Sequence, residues 1–357
     1  MQGLPFITKY KRLLIPLILV LITLLLQRVS GFVNYLYPNY VFSPVTKLLR
    51  AALGGIAFSL GDVLYAIIFL YLLYTILISL YKLIKRQYTK QVLYQKFTTL
   101  TSMALWLVVL FKILWGFNYY KQPLATTLKL PVTTYNKEDV LMLSNHCLAI
   151  INTIIPQITN DSNFALSAVK PYLQAGYDSI ATQIPALQYS YNSVKPALYS
   201  KLQGYMGFQG YYNPLTGEAQ VSTDVPLYMQ PSIALHEMAH QIGIGYEDEA
   251  NLVAYLAAYH NTNPYIRYSS NVDMLQYSLQ ALVRLDTTAY KQIIVQVPLK
   301  VKTHIRQYYR YLGYRQGVLS NTMSSTYNTF MQANNMPKGL NTYNEVVGLA
   351  IAFIKKK

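Results

Sequence analysis

The sequence predicts a mainly α-helical protein, with three N-terminal transmembrane helices followed by a helical domain that contains a small β-hairpin or sheet. Two features of the chain predict this fold class. Hydrophobic residues make up 53% of the 357 residues and charged residues only 12%, whereas an ordinary soluble domain has about 25% charged residues. Apolar residues also run continuously in three stretches of the first third, and later recur at helical spacing between prolines.

The excess of basic residues agrees with a membrane protein. The chain has 30 Lys and Arg against 14 Asp and Glu, for a formal net charge of +16. A soluble nucleic-acid-binding protein with this excess would have a highly charged surface, so the low charged fraction argues against nucleic acid as a partner and for a lipid bilayer. The single cysteine, Cys147, excludes an intramolecular disulfide and a cysteine-based metal cluster.

The three predicted spans cover about residues 13–36, 60–81 and 100–119, so residues 1–120 form the predicted membrane domain and residues 121–357 the second domain. About 20 apolar residues cross a bilayer, and the second and third stretches have that length. The first apolar run, Leu13 to Leu26, is shorter and reaches residue 36 if the helix tilts. No small-residue cleavage site follows it, so we interpret it as an uncleaved anchor.

The positions of the basic residues predict the orientation. Residues 82–99 contain five Lys and Arg and no acidic residue, and the N-terminal segment contains Lys9, Lys11 and Arg12. Basic flanks face the cytoplasm, so three spans place everything after residue 120 on the far side. We therefore predict a multi-pass protein of the bacterial inner membrane with a periplasmic C-terminal domain.

The most informative motif is His236-Glu237-Met238-Ala239-His240. Residues four apart share one face of a helix, so the two imidazoles can bind one zinc ion, with Glu237 as the general base for the zinc-activated water. The helix is expected to begin near Pro231, with Ser232 as its N-cap, and to end near Gly243. Because no cysteine is nearby, the pattern favours an open catalytic site with three protein ligands over a structural one.

The third ligand should be a carboxylate, and the acidic run Glu247-Asp248-Glu249 follows the glycine turn after the motif. The string from Glu247 to Asn251 resembles the glutamate-zincin pattern, in which the ligand Glu precedes by four residues an Asp or Asn that hydrogen-bonds a metal-bound histidine. This resemblance favours Glu247, with Asn251 orienting His236 or His240. Glu249 is the alternative ligand.

Several longer strings resemble a family of uncharacterised bacterial membrane proteins that have three N-terminal spans and a C-terminal HExxH domain. The family is similar by motif to glutamate-zincin (thermolysin-like) zinc metallopeptidases, which implies a zincin-like fold for the second domain. The strings that carry the resemblance are residues 115–120, 210–219, 236–243, 247–256 and 267–269.

Turn residues between 205 and 225 predict a hairpin with strands at Tyr211-Tyr212 and at 219–222. In thermolysin-like peptidases a strand in this region binds the substrate backbone as an added β-strand. A hairpin that only caps the helical domain is the alternative. An oxyanion donor is also needed, and His260, Arg267 and Tyr268 are the candidates that follow the ligand helix.

Together these features predict a membrane-anchored, zinc-dependent metallopeptidase that acts on a peptide or protein substrate. One alternative is a non-catalytic membrane scaffold or envelope protein that retains the fold. Another is a zinc amidase that acts on cell-wall peptides. The presence of Glu237 favours an enzyme, because a structural metal site needs ligands but no base.

Overall fold

The structure is a computed structural model that describes residues 4–130 and 134–356; for residues 4–10 and 344 only the backbone is described. As predicted, these residues are mainly helical, with three helices long and apolar enough to cross a membrane and a small three-stranded sheet. The helices are α1 (Leu4–Leu26), α2 (Ser43–Leu53), α3 (Leu60–Ile84), α4 (Lys90–Leu114), α5 (Leu124–Thr127), α6 (Lys137–Ile154), α7 (Leu166–Ala181), α8 (Ser200–Tyr205), α9 (Gln230–Gln241), α10 (Glu247–Tyr259), α11 (Pro264–Leu285), α12 (Thr287–Gln296), α13 (Leu299–Arg315), α14 (Val318–Ala333) and α15 (Val346–Lys356). The strands are β1 (Val194–Pro196), β2 (Gly210–Asn213) and β3 (Glu218–Val221).

The chain divides into two compact units. The first unit comprises Met1–Val45 and Leu60–Lys121, and the second comprises Thr46–Ser59 and Gln122–Lys357. The roles predicted for residues 1–120 and 121–357, a membrane domain and an extracytoplasmic domain, stay predictions.

Two of the helices that could cross a membrane, α3 and α4, lie in the first unit. Helix α3 contains the predicted span 60–81, whereas α4 begins ten residues before the predicted span 100–119 and ends at Leu114, and the 3-10 helix Gly116–Tyr120 follows it. Apolar side chains of α3 lie on the surface of this unit, as shown by Phe69, which is 64% exposed. Helix α1 packs along α4, where the Ser102 hydroxyl donates to the Arg12 carbonyl at 2.6 Å. An outward-facing apolar helix surface of this extent is what a bilayer would cover.

The first predicted span, residues 13–36, differs from the helix found. Helix α1 ends at Leu26, and the chain continues through a turn into two short π-helical segments, Phe32–Leu36 and Pro38–Phe42. The sequence explains the difference, because the apolar run gives way after Leu26 to Gln27, Arg28 and Ser30. The helix therefore ends ten residues before the predicted segment does.

The third helix with the length and composition of a span is α6, in a window that extends to Gln157. It lies in the second unit, where an Asn136–Asp139 capping box begins it and α11 packs against it. Its residues Leu143 and Ile151 are fully buried in the core of this unit. Since the apolar face of α6 is covered by its own unit, it is a core helix there.

The sheet of the second unit has the strand order β1-β3-β2. Strands β2 and β3 form the predicted antiparallel hairpin, with Tyr211 opposite Gln220, and β1 pairs parallel to β3. The sequence analysis missed β1, because three residues that end in a proline give no alternating pattern.

The segment Thr46–Ser59 belongs to the second unit although it precedes α3. The buried ammonium of Lys195, in β1, donates to the carbonyls of Leu53 at 3.1 Å and Gly54 at 2.7 Å, and also to that of Ile56. Lys195 thus donates to carbonyls at the end of α2 and just after it. The segment is held to the sheet by a charged residue.

Candidate metal centre

Helix α9 carries the HExxH motif. It begins at Gln230, after a short 3-10 turn whose last residue, Met229, is the N-cap. The predicted N-cap Ser232 was wrong, because it lies inside the first turn, where its backbone N–H donates to the Ser269 hydroxyl at 3.0 Å. The helix ends close to the predicted Gly243, whose φ of +88° is the left-handed conformation that favours glycine after a helix.

Helix α10 begins at Glu247, so the acidic run forms its first turn, as predicted. The glycine turn reverses the chain, and α10 packs directly against α9. This arrangement returns Glu247 to the face of α9 that carries His236 and His240.

The three side chains meet at one point. The Nε2 atoms of His236 and His240 are 3.1 Å apart. The Glu247 Oε2 atom lies 3.1 Å from the first and 3.5 Å from the second. Within the described residues, His236, His240 and Glu247 form the group whose ligand atoms lie within 4.8 Å of one another.

These distances fit a tetrahedral cation. Two ligand atoms that each lie about 2.0 to 2.1 Å from one zinc ion are separated by roughly 3.3 Å, and the three separations here are 3.1, 3.1 and 3.5 Å. Two imidazole nitrogens and a carboxylate oxygen are also a usual donor set for catalytic zinc. His236, His240 and Glu247 therefore fit the ion that the motif predicts.

Both histidines are held so that Nε2 faces the meeting point. The Nδ1 atom of His236 lies 2.7 Å from the Asn251 Oδ1, and the Nδ1 atom of His240 lies 2.7 Å from the Ile244 carbonyl. Since both oxygens accept, both Nδ1 atoms donate, which leaves the Nε2 lone pairs for a cation. The predicted position of Asn251 beside a histidine is thus found, at His236.

Glu247 is fixed by two phenols. Its Oε1 atom accepts from the Tyr327 hydroxyl at 2.7 Å, and the Tyr343 hydroxyl is a second partner. Burial by itself would raise the pKa of the Glu247 carboxyl, but the two histidines hold it well below its usual range. Although burial opposes it, the Glu247 charge raises the pKa of His240 to about 9, so the site attracts a positive charge, which is a proton when no metal is bound.

The alternative ligand, Glu249, has another partner. Its Oε1 atom accepts from the backbone N–H of Ala125 at 2.9 Å. Glu249 therefore holds the start of α5 and does not belong to the group formed by His236, His240 and Glu247.

Glu237 is buried beside the three ligands. Its Oε2 atom has no hydrogen-bond partner among the described residues. Burial raises the pKa of the Glu237 carboxyl to about 7, against the lowering effect of the two histidines. A buried carboxyl whose pKa lies near neutrality is typical of a general acid–base residue.

The groups open into a cleft of about 300 Å³. One wall comes from α9 and from the chain around β2, and other walls come from α11, α13, α14 and the 3-10 helix Gly339–Glu345. The lining residues are Met206, Gly207, Phe208, Gln209, Gly210, Met229, Ser232, Ile233, His236, Glu237, Asn251, Asp273, Tyr277, Tyr308, Ser324, Tyr327, Leu340 and Tyr343.

The sequence analysis missed Asp273 and the tyrosines of the cleft. Asp273 and Tyr277 lie four residues apart on one face of α11, and Tyr308 comes from α13. Burial raises the pKa of the Asp273 carboxyl to about 6, while the charge of His236 and a hydrogen bond with the Ser232 side chain lower it. The i,i+4 spacing is visible in the sequence, but nothing there relates it to a motif more than thirty residues away.

The three predicted oxyanion donors do not line the cleft. His260 caps the end of α10. Arg267 and Tyr268 lie in the first half of α11, where the Tyr268 hydroxyl pairs with His304 Nδ1 at 3.0 Å. The structure brings the predicted ligands, the base and Asn251 together, and it leaves these three elsewhere.

Comparison with known proteins identifies a family without a known activity. Searches among curated proteins and among solved structures found no match. The profile of the family described as "Protein of unknown function (DUF3810)" matches residues 37–351, which include parts of both units and every residue of the candidate metal centre. With a match over most of its length, the chain belongs to this family.

Proposed function

We propose that this protein is a membrane-anchored, zinc-dependent peptidase whose active site is the cleft of the second unit. The observation that carries the proposal is the meeting of His236, His240 and Glu247 at tetrahedral separations, with the buried carboxyl of Glu237 beside them. A structural metal site would need the three ligands but not a buried base that faces a cleft.

The residues have distinct roles in the proposed reaction. His236, His240 and Glu247 would hold zinc, which when bound lowers the pKa of a water molecule and polarises the carbonyl of the scissile bond. Glu237 accepts the proton of the attacking water and later donates it to the leaving amine, and a pKa of about 7 suits both transfers. The hydroxyls of Tyr277 and Tyr308, which accept hydrogen bonds from Asn251 and Gln209, are the donors available to the oxyanion, in place of the predicted His260, Arg267 and Tyr268.

The position of β2 supports a peptide substrate. It is an outer strand of the sheet, and its first residue, Gly210, lines the cleft beside Glu237. An extended peptide can add to the outer edge of such a strand through backbone hydrogen bonds. The alternative, that the hairpin only caps the domain, does not explain why Gly210 lies beside the proposed general base Glu237.

The contacts of the second unit also support the predicted orientation. The segment Thr46–Ser59 and residues after 121 pack in one unit, so both lie on one side of a membrane. Helices α3 and α4 supply the two crossings between them, and the turn that joins these helices contains Lys85 and Arg86. Since basic turns face the cytoplasm, we place the second unit outside it, on the periplasmic side of the bacterial inner membrane.

Zinc content and peptidase activity of the purified full chain test the proposal. We expect about one zinc per chain in the wild type and in Glu237→Gln, and loss of zinc in His240→Ala, because only the second change removes a ligand. Cleavage of a denatured protein substrate is expected from the wild type alone. Loss of cleavage in Glu237→Gln, with its zinc content unchanged, would identify Glu237 as the general base.

His146→Ala is the matched control. His146 lies outside the cleft, where it stacks on Tyr259 with ring centroids 6.1 Å apart, and its loss should change neither zinc content nor cleavage. Equal and negligible zinc in the wild type and in all variants would contradict the proposal of a metalloenzyme. Full zinc with no cleavage by the wild type would favour the non-catalytic scaffold.

A further inference from the structure

The cleft contains one charged side chain that the proposed reaction does not use. Asp273 lies on its wall, and its hydrogen-bond partner is the Ser232 side chain. No Lys or Arg among the described residues forms an ion pair with it. A carboxylate in a partly buried cleft with a single hydroxyl partner gains most from a cation that arrives with a ligand.

Among the side chains that line the cleft, His236 is the cationic partner that lowers the pKa of the Asp273 carboxyl, and His236 belongs to the candidate metal centre. Among the described residues that line the cleft there is no Lys or Arg, although the chain has 30 of them. The charges of His236, His240, Glu237 and Glu247 are accounted for by the metal centre and the base. Asp273 is the acidic group that remains to face a substrate.

Aromatic rings lie next to the carboxylate. Burial, and after it the charge of Asp273, raises the pKa of both Tyr277 and Tyr308, so these two phenols are near it. The Tyr308 hydroxyl is fixed by a hydrogen bond from the Gln209 side chain. Tyrosine ring faces attract ammonium and guanidinium groups, and a carboxylate that lines the same cleft as two such rings is suited to bind one.

We propose that Asp273, with Tyr277 and Tyr308, makes the cleft selective for peptides that carry a cationic group close to the scissile bond. The group is an ammonium or guanidinium, from a Lys or Arg side chain or from a free N-terminus. This inference rests on the proposed function and names the substrate class of the same cleft. The alternative role of Asp273 is to hold Ser232 in the first turn of α9, which would give no preference for cations.

The first test is a substrate scan with the wild-type full chain. A peptide from the best-cleaved protein is prepared with its Lys or Arg replaced by norleucine, with its Lys acetylated, and with its N-terminus acetylated. We expect removal of the recognised cation to lower kcat/KM by about tenfold or more, as for loss of a charge-assisted hydrogen bond. The side-chain arms and the N-terminal arm separate the two sources of the cation.

The second test compares Asp273→Asn with Asp178→Asn, a matched loss of one exposed carboxylate outside the cleft. Asparagine can still accept from Ser232, so we expect Asp273→Asn to keep its zinc and its unfolding temperature. It should cleave the cationic and norleucine peptides equally, whereas Asp178→Asn should keep the wild-type preference. Binding to the inactive variant Glu237→Gln gives a readout without turnover. This variant should bind a dye-labelled cationic peptide more tightly than the norleucine peptide. The difference in affinity should disappear in the double variant Glu237→Gln/Asp273→Asn.

The outcomes are distinguishable. Cleavage by the wild type with equal kcat/KM for all peptides would overturn the cationic selectivity and leave the peptidase intact. A preference that persists in Asp273→Asn would overturn the role of this residue. Absence of any cleavage or peptide binding, in a protein that folds and holds zinc, would overturn the peptidase and this inference with it.

Discussion

Two glutamates in the first turn of α10 have different tasks. Glu247 meets the two histidines, and Glu249 accepts a hydrogen bond from the N–H of Ala125 at 2.9 Å. A helix turns by about 100° per residue, so side chains two apart point to opposite sides. The acidic run therefore supplies one group to the metal centre and one to the core.

This division predicts opposite results for two matched substitutions. Glu247→Gln should lose bound zinc, because it removes the charged ligand. Glu249→Gln should retain zinc and lower the free energy of unfolding by about 1 kcal/mol, since the amide oxygen accepts a weaker hydrogen bond than the carboxylate. Zinc per chain and the denaturation midpoint are the measurements, and the reverse pattern would make Glu249 the ligand.

Asn251 should tune the metal centre without binding the metal. Its Oδ1 atom lies 2.7 Å from His236 Nδ1 and sets the orientation of that ring. We expect Asn251→Ala to weaken zinc affinity by about 10- to 100-fold, as for other partners of metal-bound histidines. Competition with a chelator measures the change. Asn251→Asp should restore tight binding, and an unchanged affinity in Asn251→Ala would contradict the role.

The close approach of β2 to α9 depends on a glycine. A Cβ atom at Gly210 would lie 2.7 Å from Glu237 Oε1, 2.9 Å from the Gln220 carbonyl and 2.9 Å from Ile233 Cγ2. The Gln220 carbonyl belongs to the backbone of the neighbouring strand β3, so it cannot move without that strand. Strand β2 can therefore lie this close to Glu237 because position 210 has no side chain.

Gly210→Ala should therefore damage both stability and activity. Overpacking of this kind costs about 1 to 3 kcal/mol, and the shift of β2 would displace Glu237 from the cleft. Zinc should remain bound, because the ligands do not contact this position. Thermal unfolding and cleavage rates test this, with Gly313→Ala, where a Cβ would meet nothing within 4 Å, as the control. Wild-type behaviour in Gly210→Ala would refute the tight contact.

The elements around the metal could be predicted to different extents. Helices α9 and α10 and the hairpin were predicted because their signals are local: the i,i+4 histidines, the glycine turn and the alternating residues between turns. The cleft residues Asp273 and Tyr308 could not be predicted, because they come from α11 and α13, and only tertiary packing brings those helices to the motif. With 35 tyrosines in the chain, composition did not single out those at the cleft.

The topology of the whole chain yields a further test. A reporter enzyme that is active only outside the cytoplasm should be active when fused after Lys357 and inactive when inserted at Gln87, in the basic turn between α3 and α4. The physical reason is the retention of basic turns in the cytoplasm. Activity at Gln87 and none after Lys357 would invert the proposed orientation and place the cleft inside the cell.

The packing of Thr46–Ser59 onto β1 affects whether proteolysis could release the second unit from the rest of the chain. Cleavage of the chain after residue 121 would leave residues 122–356 bound to the segment before α3, because Lys195 would still donate to the Leu53 and Gly54 carbonyls. A truncated gene product that starts at residue 122 would instead expose that ammonium and the end of its sheet, and we expect it to aggregate. The second unit is thus built from two separate stretches of the chain, and residues 122–356 alone lack the stretch that Lys195 binds.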